Sequence, residues 1–293
     1  MQPTDKNNIL ITFSLRKPIP NNDIFICELS GVVKGLIQIG YNVLLYSDTT
    51  NKYAPKILGA RHIQNPENES YDYVIIHDNV GLNLINDKPF VYKYNKNLSQ
   101  MPLVKEGRVV VEFPNGGKEI KRVKSYEIYH IPYSVDTLNI FNEKFPEFIK
   151  RTPTIGMLFS ENELKMFPKT LNFEQIEPQQ ARNLDKYDII ITYGRRAVET
   201  VLRGKNVICG HPAIGIDGLV QPDNWEKFYK NDFSGKTVKK PFTLKTISKE
   251  IEKINQTELQ ILKLVFAEYF DNVTNSAKIL NLLVEKASVR SIF

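Results

Sequence analysis

YDIIITYGRRAVETVLRGKNVICGHPAIGIDGLVQPDNWEKFYKNDFSG, from Tyr187 to Gly235, is the stretch whose reading decides the fold. Its opening, Asp188-Ile189-Ile190-Ile191-Thr192, is the near-continuous apolar run of a strand buried on both faces. Gly194 breaks that strand, a short helix carries Arg195, Arg196 and Glu199, and Gly204 ends the helix. Val207-Ile208-Cys209 follows at once as a second apolar strand. A strand–helix–strand unit this compact predicts a parallel βαβ crossover. Its strand-to-helix turn gathers backbone amides where an anion can dock. With two arginines and a carboxylate in the first two helical turns, the segment points to a nucleotide-linked substrate.

Working outward, Asn8–Phe13 reads as a first strand, and a helix is expected from about Asp23 to Ile39, with Asn22 or Asp23 as its N-cap. Ile26, Val32, Val33, Leu36 and Ile37 give it a buried stripe at helical spacing. Gly40 stops it and Tyr41–Tyr46 is the next strand, so the chain begins with a complete Rossmann-like βαβ unit. Further strands are expected at Tyr73–His77, Phe90–Tyr94, Val109–Phe113, Thr154–Leu158 and Leu171–Glu174. The proline-bearing segment His130–Asp136, followed by the charged run Asn142–Arg151, reads as an interdomain connection. From Phe242 the pattern turns helical, with periodic stretches at Ile247–Ile254, Glu258–Phe270 and Ser276–Lys286. The expected division is 1–133, 134–241 and a helical tail 242–293.

Composition sets the class. The chain has 293 residues, long enough for two medium domains or one large one, and its 42% apolar and 25% charged residues are ordinary for a soluble globular protein. No apolar run reaches the roughly 18–20 residues that span a bilayer. The N-terminal residues lack the basic and apolar segments of a secretory signal, so a cytoplasmic setting is expected. Cys27 and Cys209 both fall in apolar elements and read as small buried hydrophobes. The net charge of +6 is concentrated at Lys118, Lys121, Arg122 and Lys124, and at Lys236, Lys239 and Lys240. Such clusters read either as a solvated face or as attraction to an anionic membrane surface or phosphorylated substrate. No nucleic-acid-binding motif accompanies them.

The motifs that are missing narrow the chemistry. There is no Gly-x-x-x-x-Gly-Lys-Ser/Thr loop, no His-Glu-x-x-His or Cys-x-x-Cys ligand pattern, and no Gly-x-Ser-x-Gly elbow. The first βα loop holds Pro18-Ile19-Pro20-Asn21-Asn22 in place of Gly-x-Gly-x-x-Gly, which counts against a dinucleotide oxidoreductase. An Asp-x-Asp pair for a metal-bound nucleotide diphosphate is also absent. No metal and no cofactor are expected.

Three local patterns carry a family resemblance. Gly40-Tyr41-Asn42-Val43 is similar to Gly-His-x-Val, and Ile131-Pro132-Tyr133-Ser134-Val135-Asp136 with Phe141 resembles "I-P-N-G-V-D…F". Gly194 to Ile208 resembles the donor helix "G-R-x-A-L-E-A-L-A-x-G-x-P-V-I". Together they resemble the GT-B glycosyltransferases, the retaining nucleotide-sugar enzymes in particular. The resemblance implies two Rossmann-like domains facing across a cleft, with an acceptor domain first, a short donor domain second and a helical tail. It implies a nucleotide sugar as substrate and a glycan or lipid-linked acceptor; with the basic clusters, a cytoplasmic protein peripheral at the inner face of the membrane is the expected setting. By resemblance, Glu199 would accept hydrogen bonds from the ribose hydroxyls, and Gly194 and Arg195 would meet the diphosphate. Gly215, Asp217, Gly218 and Leu219 would form the loop over the phosphates and sugar; Lys165 and Lys169 are further phosphate candidates but match no recognisable version of the family's basic pair and read first as surface lysines.

Alternatives stand beside these readings. Glu199 also has the spacing for a plain i,i+4 ion pair with Arg195. Arg196 reads as surface. His77, at a strand end, is an acceptor-side acid/base candidate or a satisfied strand-end histidine. His211, on the carboxyl edge of the sheet, is the second catalytic candidate. Asn21 and Asn22 stand where relatives carry Gly-Gly and are acceptor or phosphate candidates. Ile191 stands where many relatives have a second glutamate contacting the transferred sugar, so a catalytically silent nucleotide-sugar or partner-binding module remains the alternative.

Overall fold

The computed structural model describes residues 7–13, 24–47, 57, 59–77, 84, 88–93, 107–112, 114, 126–140, 152–166, 173–176 and 184–290. Two compact units divide the chain, residues 1–136 with 271–293, and residues 137–270.

The first unit is built on seven strands, β1 (Asn8–Phe13), β2 (Asn42–Ser47), β3 (Arg61–His62), β4 (Tyr73–Ile76), β5 (Phe90–Lys93), β6 (Gly107–Val111) and β7 (Tyr126–His130). They lie in the order β3-β2-β1-β4-β5-β6-β7, every pair parallel. Alternation sorts the side chains of β1 onto two faces. Ile9, Ile11 and Phe13 join one apolar cluster and Leu10 the other. That two-sided burial is why these strands read as unbroken apolar runs.

Helix α1 (Ile24–Gln38) covers the first face through Leu29, Val32, Val33 and Leu36. The last helix, α8 (Asn272–Arg290), packs beside it and contributes Ile279, Leu282 and Leu283 to the same cluster. Gly35 permits the approach, since a Cβ there would sit 2.3 Å from the Asn272 carbonyl oxygen.

The second unit carries β8 (Ile155–Leu158), β9 (Glu174–Ile176), β10 (Ile189–Thr192), β11 (Asn206–His211) and β12 (Gly215–Leu219) in the order β12-β11-β10-β8-β9. All pairs are parallel except β11–β12, which is an antiparallel hairpin with a register shift between Cys209 and Gly210. Its helices are α2 (Thr137–Ile140), α3 (Glu161–Leu164), α4 (Arg195–Leu202), α5 (Trp225–Tyr229), α6 (Leu244–Ile251) and α7 (Gln256–Tyr269). Trp225 of α5 contacts the rings of Phe266, Tyr269 and Phe270, an aromatic core that anchors the segment after β12 to α7.

Most expected elements appear within a few residues of their predicted ends. The helical tail does not stay together. Helices α6 and α7 belong to the second unit, whereas α8 returns to the first. The chain therefore leaves the first unit after Asp136 and rejoins it at Asp271, three residues beyond the expected boundary at 133 in the forward direction. The expected loop Gly215–Leu219 is a buried strand.

Each sheet reverses its direction of growth once. In the first unit the reversal falls between β1 and β4, and in the second between β8 and β10. Ligands of open α/β sheets bind at such switch points, outside the carboxyl ends of the strands.

Candidate functional site

At the switch point of the second unit, β8 ends at Leu158 and Ser160 opens the short helix α3. Glu163 folds back on this turn, its Oε2 accepting from the Ser160 amide at 2.7 Å and the Ser160 hydroxyl at 2.8 Å. The arrangement is a capping box, a strand-to-helix turn that pins its own carboxylate. From the neighbouring strand β10, the Tyr193 hydroxyl donates to Glu163 Oε1. Tyr193 stacks on Phe159 with ring centres 5.9 Å apart and receives the His211 ring edge-on at 4.8 Å. Arg196 Nη1 lies 3.8 Å from Glu163 Oε2, and His211 Nε2 lies 3.8 Å from Glu163 Oε1. Three adjacent strands thus deliver Ser160 and Glu163, Tyr193 with Arg196, and His211 to one edge.

The electrostatics follow from the contacts. Burial alone would raise the Glu163 carboxyl, but hydrogen bonds from Tyr193 and Ser160 and the nearby Arg196 charge carry it below its ordinary value. Burial, then the bond to Glu163, pushes the Tyr193 phenol upward, so it stays protonated. Burial holds the His211 ring below its ordinary value; Glu163 opposes this and Lys236 adds to it. Nδ1 of His211 accepts the Ala213 amide at 3.2 Å. The neutral ring therefore carries its proton on Nε2, toward Glu163, and offers a donor there.

Helix α4 begins at Gly194, whose φ of 62° and ψ of −149° belong to a region that essentially only glycine enters. Arg195 is 4% exposed and its Nε donates to Glu199 Oε1 at 2.8 Å. The i,i+4 pairing is thus realised, and Arg195 holds Glu199 in place. Glu199 keeps a quarter of its side chain in solvent.

The remaining expected residues are distributed as follows. Gly215, Asp217, Gly218 and Leu219 form β12, and their partners belong to the protein itself. Asp217 accepts from the amides of Gly235 at 3.0 Å, Thr237 at 2.8 Å and Val238 at 2.7 Å. The Leu219 amide donates to buried Glu250 at 3.0 Å, and a Cβ on Gly218 would meet the same carboxylate at 2.9 Å. Gly215 takes a φ of +138° beneath the Lys240 carbonyl.

Lys165 is exposed and pairs with Glu161 on its own turn at 3.3 Å. Ile191, in place of a second glutamate, is fully buried in the core of its sheet. In the first unit His77 follows β4, its amide donating to the Thr12 carbonyl at 3.0 Å, beside the switch point of that sheet. Its ring is buried, and burial with the Lys93 charge holds it well below the ordinary value of 6.5. Asn21, Asn22 and Lys169 lie outside the described residues, as does the side chain of Cys27. Cys209 is buried and its thiol donates to the Phe233 carbonyl.

Glu163 and Tyr193 are the residues that sequence reasoning missed. The Ser160-x-x-Glu163 spacing after an apolar run was a usable signal for the first. Tyr193, directly between strand and Gly194, had none beyond its position. Among the described residues no helix is long and apolar enough to cross a membrane, and no group of three His, Cys, Asp or Glu side chains is placed to hold a metal ion.

No protein-family model and no curated protein matches the chain. Solved structures do. AviGT4, a glycosyltransferase involved in avilamycin A biosynthesis, aligns with a TM-score of 0.56 at 9% identity over 96% of this chain and 98% of its own. The glycotransferase of kitacinnamycin gives 0.51 at 9% identity over 96% and 100%. CalG4, the calicheamicin glycosyltransferase, gives 0.50 at 8% identity over 96% and 99%. These neighbours are GT-B glycosyltransferases, and the chain has their fold, with a seven-stranded parallel sheet, a second sheet and C-terminal helices.

Proposed function

We propose that this protein is a glycosyltransferase that moves a sugar from a nucleotide-sugar donor to a glycan or lipid-linked acceptor, in the synthesis of surface polysaccharide or glycoconjugate. The observation that carries the reading is the carboxyl edge at the β8/β10 reversal, where Gly194 opens α4 and Arg195 steadies a partly exposed Glu199. A carboxylate with one oxygen held by arginine keeps lone pairs for two vicinal hydroxyls, the chemistry of a ribose. In the reaction the bond from the anomeric carbon to the diphosphate oxygen breaks as the acceptor oxygen attacks that carbon. The protein's part is positioning and stabilising the departing negative charge. His211, with Nε2–H as donor, fits the second task better than proton abstraction. His77, held neutral, is the acid/base candidate in the first unit. The donor enters as substrate without a cofactor, and exposed Lys236 and Lys239 favour a peripheral place on an anionic membrane surface, whereas Lys240 is engaged with buried Glu250 at 2.7 Å.

A thermal-shift screen against nucleotide sugars and free nucleotides tests the donor reading, since a ligand that binds only the native state raises its melting temperature. Absence of any shift, with no nucleotide released from any donor, would defeat it. One observation favours a second reading. With Ile191 locked in the core and Asp217 turned to the backbone, the site has fewer carboxylates for the sugar than the resemblance implies. A silent binding module would bind nucleoside diphosphate yet release none from a nucleotide sugar.

A further inference from the structure

Arg195 and Arg196 are adjacent, but the fold gives them opposite surroundings. The Arg195 side chain is buried and its Nε is engaged with Glu199 at 2.8 Å. Arg196 projects toward the β8/β10 edge. Its Nη1 is buried without a hydrogen-bond acceptor among the described residues. Its one ion-pair contact there, Glu163 Oε2, stands at 3.8 Å, beyond hydrogen-bonding distance. A buried guanidinium nitrogen in that condition is under-satisfied, and an anion that reached it would gain a charge-assisted bond. Glu163, by contrast, is held fast by Ser160 and Tyr193 and cannot follow Arg196 elsewhere.

We propose that Arg196 is the phosphate-binding cation of this site, resting against Glu163 when no ligand is bound and transferring its hydrogen bonds to the diphosphate of the donor. The assignment deepens the nucleotide-sugar reading and rests on it for the identity of the ligand. Three features support the exchange. The resting pair is loose, so little is lost when it separates. Glu163 stays behind on its capping box, so the cation and not the carboxylate moves. His211 Nε2–H faces the same carboxylate from β11, and Ser160 and Tyr193 keep their hydrogen bonds to it, leaving it partnered after Arg196 departs. Arg195 then serves the donor indirectly, as the positioning residue of Glu199.

The test is calorimetric titration of the full chain with ADP, GDP, UDP and dTDP, the matching nucleosides, and inorganic pyrophosphate. Arg196→Gln is compared with wild type and with Glu163→Gln. Arg196→Gln should weaken diphosphate binding by on the order of tenfold or more and leave nucleoside binding unchanged, which also reports an intact fold. Glu163→Gln, which removes the resting partner's charge, should bind diphosphate at least as tightly as wild type. Equal diphosphate affinity in Arg196→Gln and wild type would overturn the proposal while leaving the nucleotide-sugar reading in place. Binding of pyrophosphate through Arg196 with no nucleotide bound would uphold the cation site and sink that reading. If wild type takes neither pyrophosphate nor any nucleoside diphosphate, the proposal falls.

Discussion

The carboxyl edges of the two sheets place charge in contrasting ways. In the first unit, Lys93 at the end of β5 and Glu112 after β6 form an ion pair in direct contact, their side chains 3% and 7% exposed, and Lys93 also acts on the buried His77 ring. In the second, Glu163, Arg196 and His211 keep 15%, 16% and 18% of their side chains exposed, and the Arg196 guanidinium and the neutral His211 ring each stand 3.8 Å from the carboxylate. Both edges lie over parallel strands backed by apolar clusters. What differs is desolvation. A sealed pair gives up most of its hydration, so separating the two charges is costly. A half-buried, loosely matched pair loses little on separation, and such a pair can change partners. The contrast marks the second edge as the one built for exchange.

The largest expected effect is at the sealed pair. Lys93→Ala should strand the Glu112 carboxylate and cost about 3–5 kcal/mol in chemical denaturation, and Lys93→Met with Glu112→Leu should recover much of it. A loss well under 1 kcal/mol in the single variant would break the comparison.

His77 sharpens it through pH. Its folded value lies well below the ordinary 6.5, so the unfolded chain binds this proton more readily than the native one. The native state keeps its full stability above about 6.5 and loses it as pH falls from there toward the lower folded value. His77→Asn should flatten that part of the stability profile, and an unaltered slope would show the ring is not held neutral.

At the loose edge the effects are smaller. Glu163→Gln retains much of the hydrogen-bonding shape and should cost about 1 kcal/mol. Because the Glu163 carboxyl is held below its ordinary value, its contribution is present above the usual carboxylate range and fades as pH falls through the folded value. The variant should lose that acid-side dependence. Arg196→Gln should be the mildest, within about 0.5 kcal/mol of wild type by thermal or chemical unfolding. A cost comparable to Lys93→Ala would mean that Arg196 is a structural cation, and the two edges would then be alike.

Much of this was legible beforehand, for physical reasons that differ by residue. Strands β1, β10 and β11 were readable because a strand buried on both faces needs consecutive apolar side chains, and Ile189–Ile191 supplies them. Gly194 and Gly204 were readable as breaks because the backbone takes positive φ at both. The destination of each polar side chain was not. Arg195 and Arg196 look equivalent in sequence, yet one turn of helix geometry sends the first to Glu199 and leaves the second near Glu163, 33 residues earlier. Asp217, in a glycine-bearing stretch suited to a ligand loop, instead satisfies three amides of residues 235–238 because β12 pairs with β11 and brings that segment beneath it.

By itself, then, the sequence determined the alternation of strands and helices, the two Rossmann-like beginnings and the helix carrying Glu199. These follow from local periodicity and from glycines placed where the chain must turn. Tertiary structure decided the strand orders, the division of the C-terminal helices between two units, and the meeting of Glu163, Tyr193, Arg196 and His211. Such contacts join residues far apart in the chain, and their geometry is fixed by which strands become neighbours and where the sheet reverses, which no local pattern encodes.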